Sequence, residues 1–253
     1  MVSKEREMNW QETLDLLEKG LVRSAIKENG KWVAQTQVKE AILAAFKAGE
    51  LKEFDGGFVD KHNLPARQFK VEDKIRMVPG GSSVRRGAYV ASGVIIMPPA
   101  YINVGAYVDS GTMVDSHALV GSCAQIGKNV HLSAGAQIGG VLEPVGQTPV
   151  VIEDNAFIGA GAVIVEGIQV SEGAVIAPGV KLSKGIPVYD CVNQRILAPG
   201  EPIPANAVVV PGTRPFSNNA WAKEHNLQLQ CALIIKYKDA KTAASLTLED
   251  VLR

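Results

Sequence analysis

The sequence predicts a mostly β protein: a parallel β-helix set between a small helical N-terminal domain and a C-terminal cap. Three observations predict it. Stepping by six from Val84 lands on Val90, Ile96, Ile102, Val108, Val114, Val120, Ile126, Leu132 and Ile138, so ten consecutive hexads carry an aliphatic residue in one register. Two positions before these sites the side chain is small, as at Ala88, Ala106, Ala118 and Ala136, and three before it stands Gly or Asn, as at Gly87, Gly105, Asn129 and Gly135. A period of six fits neither the helical 3.6 nor the alternation of an ordinary strand. It suits a coil of three short sides, with one aliphatic side chain per side pointing inward and a corner residue that tolerates a turn. Three hexads, 18 residues, make one coil, and coils stack about 4.8 Å apart. The third observation is that the flanks lack this period.

The N-terminal domain is read as residues 1–78. Trp10, Leu14, Leu17 and Leu21 share one helical face with Gly20 as a stop, and "VKEAILAAFKAGE" places Val38, Ile42, Ala45 and Phe46 on another before Gly49. The β-helix is read as residues 79–190. Its phase slips once: from Ile138 to Ile152 the step is 14 residues, two more than two hexads. That slip predicts an extruded loop near residues 140–150, and loops on rigid scaffolds collect binding groups. The register resumes at Ile158, Ile164, Val170, Ile176, Leu182 and Val188. Residues 191–253 are read as a last coil, a strand in "LQLQCALIIKY", and a helix "LEDVLR" capped by Thr247.

Composition narrows the function classes. Of 253 residues, 46% are hydrophobic and 21% charged, enough for a sizeable core, and 26 Lys plus Arg balance 26 Asp plus Glu. No global field draws the protein to nucleic acid or an anionic membrane, so neither is expected as a partner. The opening "MVSKEREMNWQETLDLLEKG" lacks a signal-peptide core, and no apolar run reaches the roughly 18 residues of a membrane span, so a cytoplasmic location is expected. Cys123, Cys191 and Cys231 are few, odd in number and without ligand spacing, which argues against a disulfide framework. A zinc β-helix enzyme wants three convergent histidines; only His117 and His131 lie in the repeat, with His62 and His225 in the flanks, so no metal is expected. An acyltransferase is the remaining reading.

"NVGAYVDSGTMVDSHALVGSCAQIGKNVHLS", "GGVLEP", "IEDNAFIGA", "IPVYD" and "CALIIKYKDAKT", with the N-terminal "GKWVAQTQVKEAILAAF", resemble the bacterial tetrahydrodipicolinate N-succinyltransferases of lysine and diaminopimelate biosynthesis. The resemblance implies a left-handed parallel β-helix, a homotrimer with active sites between subunits, and succinyl-CoA as cosubstrate. The acceptor it implies is a ring-opened dicarboxylate with one amine. That amine must lose a proton to attack the thioester, which calls for a carboxylate or imidazole within reach, cations for the substrate carboxylates and donors for the oxyanion.

Asp115 in "GTMVDS" matches the family's acidic residue at the substrate amine. A carboxylate titrating near ~3.9 is a weak base, so it orients the ammonium and helps remove its proton. On pattern alone it equally suits a solvated corner, like Asp109 one hexad earlier. Arg76 in "KIRMVPGG" matches the arginine that meets a substrate carboxylate, a task for a bidentate guanidinium, and Arg86 is a second candidate. CoA is expected along late coils, with Gly140, Ala160, Ala177 and Lys184 as contacts.

The sequence departs from the family at one telling place. After "FIGA" the family carries Arg-Ser-Glu with a catalytic Glu, whereas Gly161-Ala162-Val163 stands here, which resembles the N-acetyltransferase branch. Likewise Ser116-His117 replaces the family's Thr-Trp. His117 and Glu166 are therefore additional catalytic candidates, His117 because imidazole titrates near neutral pH. Succinyl donor, acetyl donor and a non-catalytic homologue all stay open from the residues.

Overall fold

The computed structural model describes residues 9–238. Two helices open it, α1 (Trp10–Glu18) and α2 (Thr36–Ala48), separated by a hairpin of β1 (Ala25–Glu28) and β2 (Lys31–Ala34), with a second hairpin of β3 (Leu51–Phe54) and β4 (Phe58–Lys61) behind them. Asn9 caps α1 by accepting the Gln11 N–H, and Leu14 and Leu17 pack on Val38, Ile42 and Ala45 of α2. Leu21 differs from its expected place: past the Gly20 turn it points to solvent, 72% exposed. Among the described residues no helix is long and apolar enough to cross a membrane.

From Arg76 onward the chain coils. Two-residue rungs stack in parallel register on three faces. The first face carries Ile95–Ile96, Met113–Val114, His131–Leu132, Phe157–Ile158 and Val175–Ile176, with Arg76–Met77 at its start. The second runs from Ser83–Val84 through Tyr101–Ile102, Leu119–Val120, Gln137–Ile138 and Val163–Ile164 to Lys181–Leu182. The third holds Tyr89–Val90, Tyr107–Val108, Gln125–Ile126, Val151–Ile152 and Gln169–Val170. From Ser83–Val84 onward the second residue of each rung is the aliphatic of the hexad. All ten from Val84 to Ile138 are buried in one continuous core with the small residues that precede them. Rung to rung, Met113 faces His131 and Val114 faces Leu132, the 18-residue coil the period requires.

The slip after Ile138 is an insertion at the corner between the second and third faces, spanning residues 139–150. Leu142 of this loop packs into the N-terminal cluster with Val104 and Cys123. The third face is covered by the chain's own N-terminal domain. Arg23 lies 3.7 Å over the Tyr107 ring and its Nε donates to Gln125, while Lys27 and Trp32 both donate to Glu153. The first face from Ile95 to Phe157 and the second face have no such cover among the described residues.

The coil ends differently from the hexad count. Lys181–Leu182 is the last rung of the second face. Val188–Asp190 leaves the stack and pairs in parallel with the strand Gln228–Tyr237. Ile203 bridges Val170 on the third face and Ala207–Pro215 extends the first face beyond Val175–Ile176, then turns back as a hairpin with Gln228–Tyr237. A strand was expected at "LQLQCALIIKY" and is found there; the "LEDVLR" helix and its Thr247 cap lie outside the described residues.

Each inward aliphatic is covered only by the coils beside it, so truncating one leaves a cavity rather than a repacked core. Replacing Ile126 with Ala is expected to cost roughly 2–5 kcal/mol in urea denaturation, against less than about 0.5 for Lys128→Ala at the neighbouring exposed corner.

Candidate active site

The coil sorts the sequence-predicted residues into two groups. Asp115, His117, Ala160 and Ala177 lie at the corner between the first and second faces; Arg86, Gly140, Glu166 and Lys184 lie at the corner between the second and third. Arg76 heads the first face, pairing with Ile95 two coils before the Met113–His131 pair. The second face separates the two groups, so one chain does not bring Asp115 and Glu166 together.

At the first corner a ladder of backbone bonds climbs the stack: His117 N–H to Pro99 O, Gly135 N–H to Ser116 O, Gly161 N–H to Ala134 O, and Gly179 N–H to Ala160 O. The four donors hold the left-handed conformation, with φ of 62°, 70°, 66° and 72°. His117 is therefore a side chain at a position that the next three coils give to Gly, a conformation that costs a non-glycine residue about 1 kcal/mol. Its imidazole is exposed, and its carbonyl accepts from Gln137 Nε2 at 3.0 Å. Above Asp115 the corner is lined by Ser133, Gly159 and Ala177, small residues that leave room along the stack.

Asp115 is half-buried. Its Oδ1 accepts the Ser116 N–H at 2.7 Å, and among the described residues Oδ2 has no protein donor. Asp109 makes the same bond to Ser110, also at 2.7 Å, so local geometry does not separate the two. Their surroundings do. Asp109 stands at the covered third face, beside Arg23 and Tyr107, whereas Asp115 acts on His131 in the next coil of the uncovered first face. His131 points outward, half-buried, stacked on Phe157 with ring centroids 5.2 Å apart. Burial pushes its pKa below the ordinary 6.5, with Asp115 pulling the other way. An available carboxylate oxygen beside a neutral imidazole is a pair able to accept a proton from an amine and hold it. The sequence reading missed His131; a signal was there, since 18 residues separate it from Met113.

The second corner is built from commitments. Arg86 Nη2 is paired with Asp15 at 3.0 Å and holds α1 against the first coil, so it is engaged rather than free for a substrate carboxylate. Gly140 lies so close to the coil below that a Cβ there would sit 2.5 Å from Ser122 N. Glu166 is exposed and its Oε2 accepts the Lys184 N–H at 2.9 Å, capping the next coil. The Lys184 side chain borders a cavity of about 310 Å³ floored by Ile168, Leu182, Leu197 and Ile203. Val163, standing where the family carries its Glu, faces outward on the second face between Gln137 and Lys181.

These features define a hexapeptide-repeat acyltransferase fold, and residues 149–184 match the family model "hexapeptide repeat of succinyl-transferase". Residues 2–48 match the model of the tetrahydrodipicolinate N-succinyltransferase N-terminal region. Relatives named 2,3,4,5-tetrahydropyridine-2,6-dicarboxylate N-succinyltransferase are 45% identical in Coxiella burnetii, over 96% of this chain and 88% of that protein. In Idiomarina loihiensis the identity is 44%, over 95% and 86%. In Acinetobacter baylyi it is 45%, over 96% and 88%. The chain belongs to the tetrahydrodipicolinate N-succinyltransferase family. A crystal structure from Campylobacter jejuni, described as that of a 2,3,4,5-tetrahydropyridine-2-carboxylate N-succinyltransferase candidate, superposes with a TM-score of 0.57 at 18% identity. It covers 89% of this chain and 62% of that one, and agrees with the left-handed parallel β-helix as the fold.

Replacing His117 with Gly is expected to leave stability unchanged or raise it by up to about 1 kcal/mol in urea, because the strained corner then matches those above it. His131 carries a pH signature. Its folded pKa lies below the unfolded one, so the unfolded chain takes up the proton first. The stability held by the neutral imidazole is complete above pH 6.5 and drains as pH falls toward the lower folded value. In His131→Gln, urea midpoints followed from pH 7.5 to 5 are expected to fall less steeply than in the wild type.

Proposed function

We propose that this protein transfers the succinyl group of succinyl-CoA to the amine of ring-opened tetrahydrodipicolinate. The observation that carries the reading is the near-full-length match, at 45% identity, to relatives named for that reaction. The resemblance of "GTMVDS" to the family's acidic motif, on a coil that holds Asp115 at an open corner, supports the same activity here. In the reaction the amine nitrogen attacks the thioester carbon, the new C–N bond forms, the C–S bond breaks, and CoA leaves as thiolate. Asp115 holds the substrate ammonium through Oδ2 and takes up its proton, with His131 beside it to share the charge. Arg76, exposed at the head of the same face, receives a substrate carboxylate. CoA lies along the late coils, past Ala160 and Ala177, with its phosphates toward Lys184.

The working unit is a homotrimer with sites between subunits. Two features support this. The first face presents Ile95, Met113 and Phe157, partly exposed apolar side chains of the kind that seek a partner. The candidate residues divide between two corners, and a second copy that sets its second/third corner against the first/second corner of its neighbour brings Gly140, Glu166 and Lys184 toward Asp115. Acetyl-CoA is the second reading for the donor, favoured by Val163, an apolar side chain where the succinyl branch carries a carboxylate.

Thiol release with tetrahydrodipicolinate as acceptor is expected to be faster with succinyl-CoA than with acetyl-CoA; the reverse preference moves the protein to the acetyl reading. Asp115→Asn keeps the size and the Ser116 bond. It is expected to lower turnover roughly 10²–10⁴-fold while the mass by light scattering stays trimeric; unchanged turnover removes Asp115 from the reaction.

A further inference from the structure

Lys39 is a fully buried lysine, 0% exposed, on the face of α2 that packs against the β-helix. Among the described residues no carboxylate pairs with it. Among these residues the one acceptor its Nζ reaches is the carbonyl of Gln147, at 2.5 Å, in the 139–150 insertion. The titratable group that acts on it is Cys123, whose buried thiol is pushed up to about 11 and so offers no counter-charge at neutral pH. Burying an ammonium against a single carbonyl is costly, and an apolar side chain of similar volume in such a place is often neutral or stabilising. Packing therefore gives no reason for a lysine here.

What the ammonium holds is informative. Gln147 passes the contact on: its Nε2 donates to Glu166 O at 3.0 Å, and Glu166 in turn caps Lys184. Thr148 Oγ1 donates to Trp32 O at 3.4 Å, a long and weak tie. The loop's root, Gly139–Gly140, lies on Gly121–Ser122, with Val141 N–H donating to Ser122 O. Lys39 thus stands at the start of a chain of contacts from the N-terminal domain, through the insertion, to the corner that carries Gly140, Glu166 and Lys184.

We propose that Lys39 is a positioning residue for acyl transfer, its buried ammonium fixing the Gln147 carbonyl and with it the 139–150 loop against the corner where acyl-CoA binds. The kinetic consequence rests on the acyl-transfer reading above; the anchoring itself does not.

The test is Lys39→Met, which keeps the length and apolar stem of the side chain and removes the charge. Amide hydrogen exchange across 139–150 is expected to quicken roughly 10–100-fold, the loss of one charge-assisted hydrogen bond, while α1, α2 and the thermal midpoint stay as in the wild type. In the same variant KM for acyl-CoA is expected to rise about tenfold with kcat little changed. Unchanged exchange in the loop overturns the proposal. So does faster exchange spread over α1 and α2 with a lowered midpoint, which marks a structural role only. A second variant, Gln147→Ala with Thr148→Ala and Leu142→Ala, removes the other side-chain hydrogen bonds and the Leu142 packing and leaves the Lys39 contact. Retained loop protection there supports the proposal, and lost protection overturns it, even should Lys39→Met fail to fold. A wild type without acyl transfer that still shows the exchange result defeats the functional reading and leaves the anchor standing.

Discussion

One constraint governs this molecule: a side of six residues buries nothing alone, so every inward aliphatic depends on the coil above and the coil below. The coil-to-coil hydrogen bonds of the rungs enforce the same dependence on the backbone. Corners must then repeat as well, because a rung that drifts by one residue would turn its aliphatic outward. From this follow the left-handed corner residues, the small side chains before each aliphatic, and the rule that longer excursions such as 139–150 occur at corners. The fold is also rigid by construction, which suits a groove that must hold a long cosubstrate along its length.

How much of this the sequence disclosed depended on which rule each segment obeyed. The rungs were legible because a period of six has few competing explanations, and Val84 through Ile138 are buried as that register requires. The hairpin of β1 and β2 was not, since its four-residue strands expose most of their side chains and bind the third-face corner through Lys27 and Trp32 rather than through an alternating apolar pattern. Val188 misled because an aliphatic at the sixth position satisfies the count while its backbone pairs elsewhere. Lys39 was passed over for a similar reason. Among Val38, Ala41 and Ile42 a lysine reads as the polar edge of an amphipathic helix, and only the loop that folds over it makes it interior.

The candidate site was legible in its members and hidden in its grouping. Asp115 and Asp109 occupy equivalent hexad positions and make the same bond to the following Ser. What separates them is which face carries a cover, and that is a long-range fact no local pattern records. His131 enters for the same reason, as a neighbour created by stacking. The division of the other residues between two corners is legible only once the coil is built.

Covering the third face has a consequence for the other two. An N-terminal domain seated there uses its own apolar surface on the β-helix and leaves Ile95, Met113 and Phe157 of the first face, and the second face, without that cover. The insertion at 139–150 lies where the covered third face meets the open second face, so it touches both the domain that covers and the surface that receives. A loop at that border, if free, would pay its ordering entropy at each binding event. Tied at Gln147 by a buried charge, the loop is ordered before the cosubstrate arrives, and that ordering cost does not fall on the binding step.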